Sequence, residues 1–164
     1  MNEKTKNLIK ELLDNNKQSD REIARKIGAT QPTVGRLRNR LINEDYIRSY
    51  SVIPNLSKLN VELIAFTVIK WKDYKQKEKL EKFGVELKKN NLMFFCAPGE
   101  GFNNKTKIMI TFHEDYKSYE LFLRKLRSEW EVMIEDMDSF LVSTDNIIKN
   151  FDFGIVGDFL TKKD

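Results

Sequence analysis

Apolar residues in the first fifty positions recur at helical spacing in three short runs. Residues 5–15 place Leu8, Ile9, Leu12 and Leu13 on one side of a helix, and Asn15-Asn16 ends it. Ser19 stands three residues before Glu22, the spacing of a capping box, and opens a second helix that buries Ile23, Ala24 and Ile27. Gly28 closes that helix as a left-handed cap. Thr30 is an N-cap residue for a third helix, and Pro32 falls in its first turn, where the missing N–H costs nothing. Val34, Leu37 and Leu41 form its inner stripe. Two short helices joined across Gly28-Ala29-Thr30 predict a helix-turn-helix. After Asn43-Glu44-Asp45, the stretch Tyr46 to Pro54 is rich in β-branched and aromatic residues and predicts a small β-ribbon, a wing. Residues 55–61 read as a hinge.

The pattern then changes to β-α-β-β-α-β. Leu63 to Trp71 is almost wholly apolar or β-branched, a buried strand. Lys75 to Asn90 is a helix with Leu80, Phe83 and Leu87 inward, Leu92 to Ala97 a strand, and Lys107 to His113 another, with a Gly- and Asn-rich loop between those two strands. Asp115 to Glu129 is a second helix burying Tyr119, Phe122, Leu123, Leu126 and Trp130, and Val132 to Val142 contains the last strand. The fold class is therefore α+β: an N-terminal winged helix-turn-helix followed by a ferredoxin-like βαββαβ domain, a four-stranded antiparallel sheet with two helices on one face. The uncovered sheet face calls for a second copy of the chain, hence a homodimer. The expected boundaries are 1–54, 55–61 for the hinge, 62–145 for the sheet domain and 146–164 for an extension. That extension carries Phe151, Phe153, Ile155, Val156, Phe159 and Leu160 and is expected to cover a sheet or a partner surface.

Composition narrows the class. No apolar run reaches the roughly 20 residues of a membrane span. The polar start Met1-Asn2-Glu3-Lys4 does not read as a signal peptide, and a single Cys96 forms no internal disulfide, so the expected compartment is the cytoplasm. The charge excess is unevenly placed. Residues 1–50 hold 11 Lys/Arg against 7 Asp/Glu, whereas the remainder holds 18 of each. One end of the chain is thus suited to a polyanion.

The third helix explains how. On a wheel of ~100° per residue, Leu37 and Leu41 share the core side with Val34, while Gly35, Arg36, Asn39, Arg40 and Asn43 fall opposite. From Ala29 to Asn43 there are three arginines and no acid. Arginine grips guanine O6 and N7 or a phosphate, and asparagine does the same for adenine N6 and N7. Gly35 removes bulk near a groove floor, Gln31 and Thr33 reach base edges or phosphates, the helix N-terminus adds a phosphate site, and Arg48 in the wing meets the neighbouring backbone. The expected partner is double-stranded DNA. A solvated basic face on a ligand-sensing or protein-interaction module is the alternative, and it predicts no retardation of any duplex at low salt.

Enzymatic signals are sparse. His113 is the only histidine, beside Glu114 and Asp115 at a strand end, and reads as a surface or helix-capping residue. Cys96 reads as an inert buried thiol. No Cys/His spacing suits zinc, and Gly99-Glu100-Gly101 lacks the setting of a phosphate loop. Lys72-Asp73-Tyr74-Lys75 and its neighbours interleave with Glu78, Glu81 and Glu86, the pattern of a solvated helix face. No metal, cofactor or catalytic residue is expected.

Taken together, Ile23-Ala24-Arg25-Lys26-Ile27-Gly28, Gln31-Pro32-Thr33-Val34, Arg40-Leu41 and the run Tyr46 to Pro54 through Lys58-Leu59-Asn60 resemble the Lrp/AsnC, or feast/famine, family of transcriptional regulators, in an archaeal style. The likeness is specific over residues 7–71 and architectural beyond. It implies a homodimer or higher oligomer assembled through the C-terminal sheets, with two recognition helices entering major grooves about 34 Å apart. It also implies an amino-acid effector near the loop between the second and third strands, here Gly99, Glu100, Gly101 and Asn103. The Asp that typically follows the Gly is missing, so Glu100 would have to meet an α-amino group, and another ligand or none fits as well. Arg38 stands where the family usually has an apolar residue, with Leu37 taking over the packing. Sirohaem decarboxylases share this architecture and form a second alternative, but they would need basic groups lining a pocket, and this half of the chain has only His113 to offer as imidazole.

Overall fold

The computed structural model describes residues 1–72 and 77–161, which fall into two compact units. Residues 1–53 and 150–164 make the first, and 54–149 the second.

In the first unit, helix α1 (Glu3–Asp14) starts where the Asn2 side chain accepts the Thr5 N–H at 2.9 Å. Helix α2 (Asp20–Lys26) opens with the expected Ser19–Glu22 capping box. It closes in a Schellman turn: Gly28 sits at φ +63°, and the Ala29 N–H reaches the Ala24 carbonyl at 2.9 Å. Helix α3 (Gln31–Asn43) begins at Thr30 and ends in a second Schellman turn through left-handed Asp45, with the Tyr46 N–H on the Leu41 carbonyl at 2.9 Å. Leu8, Leu12, Ile23, Ala24, Val34 and Leu41 form the core, and Ile9, Ile27, Ala29, Leu37 and Ile47 pack around it.

Two expectations for this unit are corrected. The segment Tyr46 to Pro54 follows α3 without forming a strand. Its composition permits β structure, but a strand needs a neighbouring strand for its backbone groups, and among the described residues none pairs with it; instead the Asn16 side chain donates to the Ser51 carbonyl at 2.7 Å. The extension, expected on a sheet or partner surface, instead folds into a helix packed on α1 (Gly154–Thr161, α6 below, once α4 and α5 are placed). Its Gly157 lies so close to Lys10 that a Cβ would meet the Lys10 Cα at 3.2 Å, and Lys10 Nζ pairs with Asp158 at 2.8 Å.

The second unit is the expected antiparallel sheet, in the order β2-β3-β1-β4. Strands β1 (Leu63–Trp71) and β3 (Lys107–His113) lie in the centre, with β2 (Met93–Pro98) and β4 (Ile134–Ser143) at the edges. Helices α4 (Lys77–Lys88) and α5 (Tyr116–Trp130) cover one face. The start of the first of these, expected at Lys75, and the Asp73–Lys75 part of the basic patch lie outside the described residues. Ile69, Trp71, Phe83, Leu87, Met109, Phe122, Leu126, Trp130 and Met133 form the core beneath the helices. Antiparallel register puts Phe66 opposite Ile110 on one side and Phe140 on the other, so all three share the opposite face, where Phe140 is 72 % exposed. Phe94 stacks on Phe112 at 5.0 Å between centroids.

Candidate nucleic-acid interface

Helix α3 is held by its core stripe, and this decides which side chains turn outward. Arg36, Asn39 and Asn43 lie within about 60° of one another on the wheel, are exposed, and take no side-chain partner among the described residues. This outward stripe joins one guanidinium to two amides. Gln31 is exposed at the start of the helix, and Thr33 is half-buried with its hydroxyl 2.9 Å from that of Thr30.

The remaining predicted residues occupy the flanks. Arg40 is exposed but turned toward α1: its Nη2 donates to Thr5 Oγ1 at 3.1 Å, and Glu44 lies 3.9 Å from its Nε. Arg48 is 83 % exposed and reaches back to Asp45 at 3.4 Å. Pairs this exposed contribute little, roughly 0–1 kcal/mol, so both arginines remain available to a phosphate. Gly35 sits on the other flank, facing α2 rather than the outward stripe, where a Cβ would lie in ordinary contact, 3.4 Å from Asp20 Oδ2. The third arginine of the helix, Arg38, is turned inward: its side chain is 18 % exposed and is paired with Asp20 at 2.6 Å. Leu37 packs at the core margin as expected.

The loop expected to hold an effector is tightly built. Gly99 and Gly101 donate to the carbonyls of Thr106 and Lys105, each at 3.0 Å, and Asn103 and Asn104 adopt left-handed backbone at φ 52° and 59°. Gly99, Glu100, Gly101 and Asn103 are all exposed. Sequence reasoning missed Lys105, whose side chain is 1 % exposed and bridges Asp136 and Asp138 of β4, the latter at 2.8 Å. The hydrogen bonds to Asp136 and Asp138 raise its pKa, and the same contact lowers that of Asp136. A lysine at the end of a polar loop carries no local signal that two carboxylates, 31 and 33 residues on, will receive it.

Two readings of single residues are corrected. His113 is 1 % exposed, with Nε2 2.8 Å from the Thr111 hydroxyl, Nδ1 unpartnered, and Tyr119 and Phe122 of α5 against its ring, each at 5.4 Å. Burial lowers its pKa. It is a core residue, and Asp115 caps α5 instead. An imidazole packed this way is not placed to line a tetrapyrrole pocket. Cys96 is exposed, because β2 is an edge strand.

Residues 1–48 match the winged helix-turn-helix DNA-binding family. No curated protein matches the chain by sequence. Solved structures match it from end to end. A transcriptional regulator of Neisseria meningitidis in complex with L-methionine has a TM-score of 0.80 at 16 % identity, over 94 % of this chain and 95 % of that one. An AsnC family transcriptional regulator of Agrobacterium tumefaciens gives 0.81 at 16 %, over 93 % and 95 %. LrpC of B. subtilis gives 0.71 at 21 %, over 93 % and 98 %. Identities this low establish a shared fold.

Proposed function

We propose that this chain, built on the Lrp/AsnC fold with a winged helix-turn-helix at its N-terminus, is a sequence-specific regulator of transcription that binds double-stranded DNA as a homodimer or higher oligomer. The observation that carries the reading is the exposed, acid-free stripe of Arg36, Asn39 and Asn43 on the second helix of the motif. Arg36 and Asn39 read base edges, Gln31 and Thr33 act at the helix start, and Arg40 and Arg48 give up their weak carboxylate pairs for phosphates.

Residues 1–54 form the DNA-binding domain, 55–61 the hinge, and 62–145 the effector and oligomerisation domain. The apolar sheet face bearing Phe66, Ile110 and Phe140 supports the oligomer, since a second copy of the same face is its simplest cover. The methionine complex of the Neisseria relative supports a small-molecule effector, with Gly99, Glu100, Gly101 and Asn103 as its site and the exposed Glu100 carboxylate as partner for an ammonium group. Such a protein is not an enzyme, needs no cofactor, and works in the cytoplasm beside the DNA.

Affinity for duplex DNA across a salt series tests the reading. Neutralising about six phosphates makes affinity fall roughly a thousandfold between 50 and 200 mM salt. In the same series Arg36→Ala and Asn39→Ala lower selectivity, each lost base contact costing about 1–3 kcal/mol. A slope near zero, or no retardation at low salt, defeats the proposal.

A further inference from the structure

The side of α3 that faces α2 carries a polar cluster where a hydrophobic contact would suffice. Arg38 donates from Nε and Nη2 to one oxygen of Asp20, at 3.0 and 2.6 Å. Its Nη1 donates to the Tyr50 hydroxyl at 3.3 Å, and its guanidinium carbon lies 5.8 Å from the centre of the Tyr50 ring. The other Asp20 oxygen faces Gly35. Three separate pieces of chain meet here. Asp20 is the first residue of α2, Arg38 lies in the middle of α3, and Tyr50 belongs to the irregular segment that also carries Arg48.

A guanidinium supplies donors in a rigid, planar fork, so two partner groups, the Asp20 carboxylate and the Tyr50 hydroxyl, together fix direction as well as distance. An apolar side chain would fill the same space with no preferred angle. The cluster also withdraws Arg38 from the outward stripe, leaving Arg36 as the arginine of α3 that neither packs inward nor hydrogen-bonds to α1.

We propose that Arg38 is a positioning residue for DNA recognition: together with Asp20 and Tyr50 it sets the angle at which α3 is presented and draws the segment bearing Arg48 against that helix. It does so without touching DNA. The inference rests on the DNA-binding reading above. Hydrogen bonds to base edges weaken steeply once donor and acceptor leave their narrow range of distance and angle, whereas phosphate attraction tolerates such shifts. Loss of the cluster therefore lowers selectivity while sparing electrostatic binding.

The test uses the full chain, a duplex selected by the wild-type protein from a randomised pool, and a scrambled duplex of equal length, with affinities measured across a salt series. Arg38→Met, Asp20→Asn and the double variant are each expected to reduce the ratio of the two affinities by roughly tenfold, with the double variant no worse than either single one. Scrambled-duplex affinity and the salt slope stay at wild-type values. Arg38→Lys, which keeps the charge but loses the fork, falls with Arg38→Met. Tyr50→Phe, a mild change to folding, gives a smaller loss in the same direction. A purely stabilising role would instead lower both affinities together. A salt slope reduced by about one in Arg38→Met but not in Arg38→Lys, with Asp20→Asn unaffected, would make Arg38 a phosphate contact and overturn the proposal. So would wild-type selectivity in every variant. If the wild-type protein retards no duplex, the DNA-binding reading itself has failed and this inference falls with it.

Discussion

Phe83 is the point at which α4 is fastened to the sheet, and its removal has a calculable consequence. Its side chain is wholly buried. Its ring meets Trp71 edge-to-face at 4.8 Å and Trp130 at 4.7 Å, and the Lys107 ammonium lies 4.9 Å from its centroid. Phe83→Ala removes the transfer energy of the ring and leaves a cavity between two indoles, a loss of about 3–5 kcal/mol. Phe83→Leu keeps most of the apolar volume but forfeits two aromatic pairs of about 0.5–1.5 kcal/mol each, so it falls between wild type and Ala. A domain of this size has a total stability of about 5–15 kcal/mol, so the alanine variant loses a large share of it. Both of the chain's tryptophans touch Phe83, so their fluorescence reports directly on this cluster during urea unfolding. Protein concentration must be matched, because oligomerisation adds to apparent stability. A loss below about 1 kcal/mol for Phe83→Ala, well under the range for buried rings, would show that α4 is not anchored there.

Two further outcomes follow from the buried contacts. Burial lowers the pKa of His113, so the unfolded chain binds a proton more readily than the folded one. The resulting stability is fully present above the ordinary histidine value of about 6.5 and is lost as pH falls through the lower folded value. Urea midpoints measured from pH 7.5 to 4.5 should show this loss in the wild type and a flatter curve in His113→Gln; equal slopes in the two would remove the imidazole as the cause. Gly157→Leu forces carbon atoms into the Lys10 backbone and is expected to cost about 1–3 kcal/mol by loosening α6 from α1. Hydrogen exchange should then rise across residues 154–161, and unchanged protection there would refute the tight crossing.

The sequence by itself determined what short-range chemistry controls. Ser19 with Glu22, and Gly28 at a left-handed cap, set the limits of α2 through hydrogen bonds spanning five residues or fewer. Strands β1 and β3 were legible from runs of mostly apolar and β-branched residues, as suits central strands covered on a face, and the outward stripe of Arg36 and Asn39 followed from helical periodicity. Tertiary structure decided the rest, where the partner is distant or a position depends on strand order. Cys96 lies in an apolar run, but only the order β2-β3-β1-β4 puts that run at an edge. His113 shares the helix-covered face with Met109 and Thr111 by alternation, yet its burial depends on α5 docking over it. The wheel puts Arg38 within about 40° of Val34, beside the core, but its counter-charge Asp20 lies 18 residues away and becomes visible only once α2 and α3 pack. Tyr46 to Pro54 had strand composition, but among the described residues no strand pairs with it. The apolar tail needed cover, and only the folded chain placed it on α1, because burial rewards apolar area wherever it can be matched and carries no address along the sequence.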